Sequence, residues 1–223
     1  MLSTCRNLRG VADFLPREAE MSLKHRIIGA FATLAFATAT SSALAAAAGQ
    51  TAPDFTLTDT HGKAVRLSDY RGKYVVLEWT NPDCPFVQRH YNTRNMPGLQ
   101  KEWGTRDVTW LSIDSSNRDS REFKTGAQLD AWMSAHEGSQ KAVLIDGDSA
   151  TARLYAAKTT PHMFVINPEG RIVYAGAIDD RPGASADETR KAKNYVRTAL
   201  TAATGGAAID PANTTPYGCS IKY

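Results

Sequence analysis

The chain has 223 residues, with 26 Lys+Arg against 23 Asp+Glu, three cysteines and 42% hydrophobic content. These values exclude a disordered or collagen-like chain, a disulfide-dense miniprotein and a strongly charged nucleic-acid binder; they leave a globular chain able to bury one core. From the N-terminus, Met21 is followed by Lys24, His25 and Arg26, the apolar run Ile27 to Ala39, and then Ala43-Leu44-Ala45. A positive region, about a dozen apolar residues and an A-x-A site are the parts of a secretory signal peptide, and the run is shorter than the roughly 20 residues a bilayer span needs. Residues 21–45 are therefore expected to be a signal peptide, and residues 1–20 a non-native upstream extension, with Met21 as the true start. Removing residues 1–45 takes away Cys5, five basic and three acidic groups, which lowers the net charge from +3 to +1. The remainder is expected to be exported, periplasmic in a Gram-negative cell, with no stable membrane anchor.

Beyond residue 45, Pro53 to Thr58 and Ala64 to Leu67 flank the turn Asp59 to Gly62 and predict a β-hairpin. Tyr74 to Thr80 is a β-branched and aromatic run with one charge, Glu78, and reads as a central buried strand. Pro85 to Trp103 has helical spacing that Pro97 and Gly98 are expected to interrupt. Asp107 to Asp114 is a second buried strand, Ser120 to His136 a helix, Lys141 to Asp146 a strand and Ser149 to Ala157 a short helix. Met163 to Asn167 and Arg171 to Ala175 form a hairpin about Pro168-Glu169-Gly170, and Ala186 to Ala203 a long final helix. Strands alternating with helices indicate an α/β sheet covered on both faces, in one domain over 46–203 with a tail over 204–223.

The informative segment runs from Trp79 to Val87. It puts Cys84 just beyond a strand end and at the start of a helix, with Pro85 at the first helical position, where a missing N–H costs nothing. The helix dipole and its unpaired N–H groups then favour the nucleophilic thiolate, whereas the Asp83 carboxylate opposes it. Cys219 is the only other cysteine after residue 45 and lies on a tail long enough to fold back across the domain. A mobile tail cysteine is suited to capture a sulfenic acid or mixed disulfide at Cys84; a permanent staple is the other reading, and would stabilise the fold by about 5 kcal/mol. Arg89 and His90 fall off the cysteine's helical face and are expected at the surface.

The Cys84-Pro85 helix start, Thr160-Pro161 ahead of a strand, the turn Asn167 to Gly170, and the segments NPDCPFVQRHY (Asn81 to Tyr91), YAGAIDD (Tyr174 to Asp180) and PYGCSIKY (Pro216 to Tyr223) carry a resemblance. Together they resemble the thioredoxin-like superfamily, in the peroxiredoxin-like branch of the alkyl hydroperoxide reductase/thiol-specific antioxidant (redoxin) group, from about Gly49 to Tyr223. The resemblance implies a thioredoxin-like α/β fold: a central mixed sheet flanked by helices, with an N-terminal β-hairpin and a C-terminal tail. It makes Cys84 the attacking thiol, with Val87 standing where a C-x-x-C motif has its second cysteine. It makes Pro161 the cis-proline beside the thiol and Thr160 the residue whose backbone pairs with a bound substrate strand. Pro85 and Phe86, next to the thiol, are placed with the substrate-binding residues. Glu78 matches a buried acid beneath the redox site, and Asn81, with Thr80 one position away, occupies the place of a peroxide-binding threonine.

These features point to an exported thiol-dependent oxidoreductase that reduces disulfides or hydroperoxides through Cys84, with Cys219 resolving. Its partners would be a thiol reductant, a disulfide-bearing protein or a small hydroperoxide; neither nucleic acid nor a resident cofactor or metal is expected. Two other readings stay open: copper handling through Cys84 with His90 or His162, and a non-catalytic module with a structural Cys84–Cys219 disulfide.

Overall fold

The structure, a computed structural model, describes residues 46–183 and 185–223; the expected extension and signal peptide, residues 1–45, lie outside the described residues. Seven strands form one mixed sheet in the order β2-β1-β5-β4-β3-β7-β8. They are β1 (Thr56–Asp59), β2 (Ala64–Arg66), β3 (Val75–Thr80), β4 (Thr109–Asp114), β5 (Ala142–Ile145), β7 (His162–Ile166) and β8 (Ile172–Gly176). A separate two-stranded ladder pairs β6 (Thr159–Thr160) with β9 (Cys219–Ser220). Parallel pairing joins β3 to β4 and β4 to β5, whereas β7 runs antiparallel to both β3 and β8.

Alternation along β3 splits the core in two. Leu77 and Trp79 pack on one face with Ile113, Tyr155 and Phe164, beside α4 (Ala150–Tyr155). Val76 points to the other, with Cys84, Trp103, Trp110, Met163 and Leu200. That second face is covered by α1 (Pro85–Asn92), α2 (Asn95–Gly104), α3 (Gly126–Ala135) and α6 (Tyr195–Thr204). Burying apolar side chains on both sheet faces is what dictates the near-continuous apolar runs of β3 and β4. The architecture is the thioredoxin-like one that the resemblance implied.

Three helices end differently from their sequence expectation. The run from Pro85 to Trp103 breaks at Thr93 and Arg94, where Arg94 takes φ 59°, upstream of Pro97 and Gly98. Pro97 then falls in the first turn of α2, where no intrahelical N–H bond is lost. α3 starts at Gly126, six residues later than its apolar spacing suggested, because Thr125 and Gln128 form a reciprocal capping box. The final helix is two helices: α5 (Ala186–Lys191), capped by Ser185 and Glu188, and α6, capped by Asn194 after Ala192 turns extended.

The tail is laid across the domain rather than left free. The Ile221 amide donates to the Lys158 carbonyl at 3.2 Å, the Asn117 amide donates to the Lys222 carbonyl at 3.1 Å, and the Ile221 side chain is buried.

Candidate active site

β3 ends at Thr80, and the next three residues turn the chain into α1. The Asp83 amide donates to Asn81 Oδ1 at 2.7 Å and the Cys84 amide to the Asn81 carbonyl at 3.0 Å, which closes the turn and sets Cys84 as the N-cap of α1. Cys84 has extended backbone there, and Pro85 follows as the first helical residue. Its thiol donates to the Thr160 carbonyl at 3.0 Å, and the residue is 2% exposed. The Thr160–Pro161 bond is cis. Asp83 is paired with Lys124, which offsets the negative charge that the sequence placed beside the sulfur.

Thr160 is the hinge of the arrangement, because the residue opposite it across the β6–β9 ladder is Cys219. Gly218 crosses so close that a Cβ built there would lie 2.0 Å from the Thr160 carbonyl oxygen, and its φ of +142° is one side chains rarely adopt. Burial pushes the Cys219 thiol up, and the hydrogen bond and charge of the neighbouring Cys84 push it further. Both cysteines are free thiols.

Other expected site residues fall around this pair. Asn81 is committed: its side-chain amide donates to Glu122 Oε2 at 2.9 Å and to Ser116 Oγ at 3.4 Å. Thr80 and Thr160 are buried with hydroxyls that have no partner among the described residues, and both line a cavity of about 10 Å³, the space of one water. Phe86 packs its ring 5.9 Å from Tyr217 of the tail. Val87 is fully buried in the core beneath α1.

Glu78 is fully buried, on the same side of β3 as the Cys84 cluster. Its Oε1 accepts from Tyr91 Oη at 3.0 Å, and its Oε2 accepts from Gln100, Trp110 and Ser112 at 3.1, 2.8 and 3.0 Å. Burial raises its proton affinity, and these four donors oppose that rise.

His90 corrects the expectation of an exposed helix face: it has no solvent exposure. Its ring touches Asn95 through Nδ1 at 2.9 Å and Tyr217 Oη through Nε2 at 3.1 Å. Burial, then the Arg89 charge, lowers its pKa to about 3, so the imidazole is neutral. His162 lies on Phe164's face of the sheet, with its Nδ1 accepting from the Lys158 amide, whereas Cys84 sits in the cluster on the other face. Neither imidazole is thus set beside the thiol.

Sequence reasoning missed two groups. Asp114 ends β4 in register with Thr80; burial raises it to about 6, and its Oδ2 has no partner among the described residues. Tyr217 and Asp179 are hydrogen-bonded to each other beside His90. Both lie in segments that stand out in the sequence, YAGAIDD and PYGCSIKY, but only the folded chain brings those segments together.

Residues 48–175 match the AhpC/TSA family. The chain is 28% identical over 132 residues to the thiol-disulfide oxidoreductase ResA of Bacillus subtilis, a match covering 56% of this chain and 64% of that protein. The chain thus spans less than two thirds of that relative's length. A shorter stretch of 51 residues, 19% of this chain and 32% of the other, is 62% identical to peroxiredoxin Bcp of Bacillus subtilis. A crystal structure of a hypothetical protein from Sinorhizobium meliloti shares the fold with TM-score 0.69 at 23% identity, over 81% of this chain and 96% of that one.

Proposed function

Because the chain belongs to the AhpC/TSA family, we propose that it is a thiol-disulfide oxidoreductase that uses Cys84 as nucleophile and Cys219 as resolving thiol. One observation carries this: the Cys84 thiol and Cys219 meet on the same residue, Thr160, the first through its carbonyl and the second through strand pairing. The two thiols are not equivalent. Cys84 sits at the start of α1 with its thiol on the Thr160 carbonyl, whereas burial and its neighbour hold Cys219 protonated. The division of roles follows from that asymmetry.

In the first step the Cys84 thiolate attacks one sulfur of a substrate disulfide, forming a Cys84–substrate disulfide and releasing the other substrate sulfur as thiolate. With Cys84 in the mixed disulfide its charge no longer opposes ionisation of Cys219, whose proton is lost to solvent as it attacks and balances the released thiolate. Cys219 then attacks the Cys84 sulfur, the Cys84–Cys219 bond forms, and the second substrate sulfur leaves reduced. Two electrons have passed to the substrate, and an external thiol reductant restores the dithiol. Glu78 is assigned the buried acid of the site, and Pro85, Phe86, Thr160 and Pro161 its binding rim.

Disulfides are favoured over hydroperoxides because Asn81, which stands in the place of the peroxide-binding threonine, is already engaged. The Asn81 amide is held by Glu122 and Ser116, and the Arg89 guanidinium stacks over Phe86 and Tyr217. Copper handling is disfavoured by the two imidazoles, which are set away from Cys84. We further propose that residues 21–45 direct export and that residues 46–203 with the tail 204–223 form the working domain; the likeness to the thiol-disulfide oxidoreductase ResA supports the redox reading.

Alkylation and intact mass of the full chain carrying Cys5→Ser test the proposal. Reduced protein treated with one equivalent of a small aromatic disulfide should lose two hydrogens, reversibly, and Cys219→Ser should stop at a mixed disulfide on Cys84. A wild-type protein that forms no Cys84–Cys219 bond would refute the couple, and a Cys219→Ser protein oxidised to a sulfenic acid faster by peroxide than it is captured by the disulfide would move the substrate to hydroperoxides.

A further inference from the structure

Two segments far apart in the chain converge on one side chain of the tail, Tyr217. Its hydroxyl donates to Asp179 Oδ1. It accepts from Arg89 Nη2 at 3.4 Å and meets His90 Nε2 at 3.1 Å. The direction of the last bond is fixed by the neighbours. Asn194 donates to Asn95 Oδ1 at 3.1 Å, so the Asn95 amide nitrogen faces and donates to His90 Nδ1, and the neutral ring carries its proton on Nε2 and donates it to Tyr217. The Tyr217 ring lies beside Phe86, at 5.9 Å, and the Arg89 guanidinium, at 5.7 Å, and these two lie 5.5 Å from each other. Every hydrogen-bonding direction of the phenol is therefore used, by α1 and by the segment after β8.

Tyr217 lies two residues before Cys219, and α1 is the helix whose N-cap is Cys84. One rigid helix thus holds the nucleophile at its start and, about one and a half turns later, grips the tail that brings the second thiol. The β6–β9 ladder is only two residues a side, too short to fix the tail by itself.

We propose that Arg89, His90, Asp179 and Tyr217 form a clasp that positions Cys219 against Cys84. This rests on the proposed Cys84–Cys219 couple and adds what sets its strength. Tyr217 is a positioning residue: with the clasp closed, Cys219 outcompetes outside thiols for the Cys84 sulfur. With it open, the edge of β6 is bare and an extended segment of another protein takes the place of the tail. The clasp therefore sets the balance between internal resolution and capture of an external partner.

The test is the thiol–disulfide equilibrium of the full chain with glutathione. Glutathione disulfide takes the Cys84 sulfur as a mixed disulfide and releases one glutathione; Cys219 then attacks Cys84 and releases the second, so the ratio of products measures the effective concentration of Cys219. Tyr217→Phe keeps the ring stacking and removes the hydroxyl. It should lower that effective concentration about tenfold, as expected for loss of a hydrogen bond to a charged group, with Cys84–glutathione accumulating. Tyr74→Phe is the control, because it deletes a comparable hydroxyl, bonded to the Ala203 carbonyl at 2.8 Å, outside the Tyr217 clasp and the two cysteines. All three proteins are compared well below their thermal midpoints. An unchanged effective concentration in Tyr217→Phe, or an equal fall in Tyr74→Phe, overturns the clasp and leaves the couple standing. A wild type that never forms the internal bond overturns the couple and the clasp with it.

Discussion

Gly218→Ala, made in a Cys219→Ser background, should uncover the Cys84 thiol without unfolding the domain. The new methyl would meet the Thr160 carbonyl oxygen at 2.0 Å and its carbon at 2.7 Å, and these are backbone atoms that no side-chain rotation can move. The backbone at φ +142° adds strain of roughly 1–3 kcal/mol for a residue with a Cβ. Because each 1.4 kcal/mol is a factor of ten, lifting of the two-residue β9 strand should become roughly 10- to 100-fold more frequent. Cys84 is 2% exposed in the closed form, so its alkylation reads the lifted population directly. Iodoacetamide labelling at pH 7.5, followed by intact mass, should then be faster than in the Cys219→Ser parent by that factor, with the thermal midpoint little changed. A rate no faster than the parent's would show that the tail does not cover the thiol.

Other expectations follow from the buried polar groups. His162 is lowered to about 3 by burial, so it stays neutral when folded while the unfolded chain protonates it below its ordinary 6.5. Its stabilising effect is complete above pH 6.5 and is lost as pH falls toward 3; by pH 5 the loss is about 2 kcal/mol, and urea titrations of His162→Gln should lack that part of the decline from pH 7. Asp114 has the opposite sign: raised to about 6 by burial, it favours the fold while protonated and costs stability as pH rises through 6. Asp114→Asn should therefore gain about 3 kcal/mol at pH 8 and only about 0.5 kcal/mol at pH 4, a difference a pair of denaturant curves would reveal. Glu78→Leu should cost about 4 kcal/mol or more, since it strands four buried donors at once; a loss below about 1 kcal/mol would mean that Glu78 is not the hub of that network.

Much of the fold was legible because strands in a two-faced sheet are written as unbroken apolar runs. β3, β4, β7 and β8 each fall within a residue or two of their sequence positions. Helix limits were read less well, because capping outweighs apolar spacing: Thr125 with Gln128 and Asn194 set starts that periodicity alone cannot. At the site, the strand end, Cys84 and Pro85 were readable from local order, since an N-cap thiol with proline after it is a local pattern. Thr160 and Cys219 were placed by the resemblance and by the length of the tail, and Tyr217 was missed, for contacts across 76 to 127 residues leave no local spacing. His90 was misjudged for a related reason: helical geometry says which residues share a face, but the tail that buries that face arrives from the other end of the chain.

Val87, fully buried where a C-x-x-C motif has its second cysteine, has a consequence for electron-donor strength. A second sulfur one helical turn away would close a loop of four residues and constrain almost nothing. A bond from Cys84 to Cys219 instead encloses α1 to α6 and the strands β4 to β8. Loop entropy for so long a closure is worth about 5 kcal/mol. By thermodynamic linkage, what the bond gives the fold, the fold returns to the bond. Relative to its own unfolded chain, the folded domain therefore favours the oxidised pair strongly, whereas for a local pair folding would change the reduction equilibrium little.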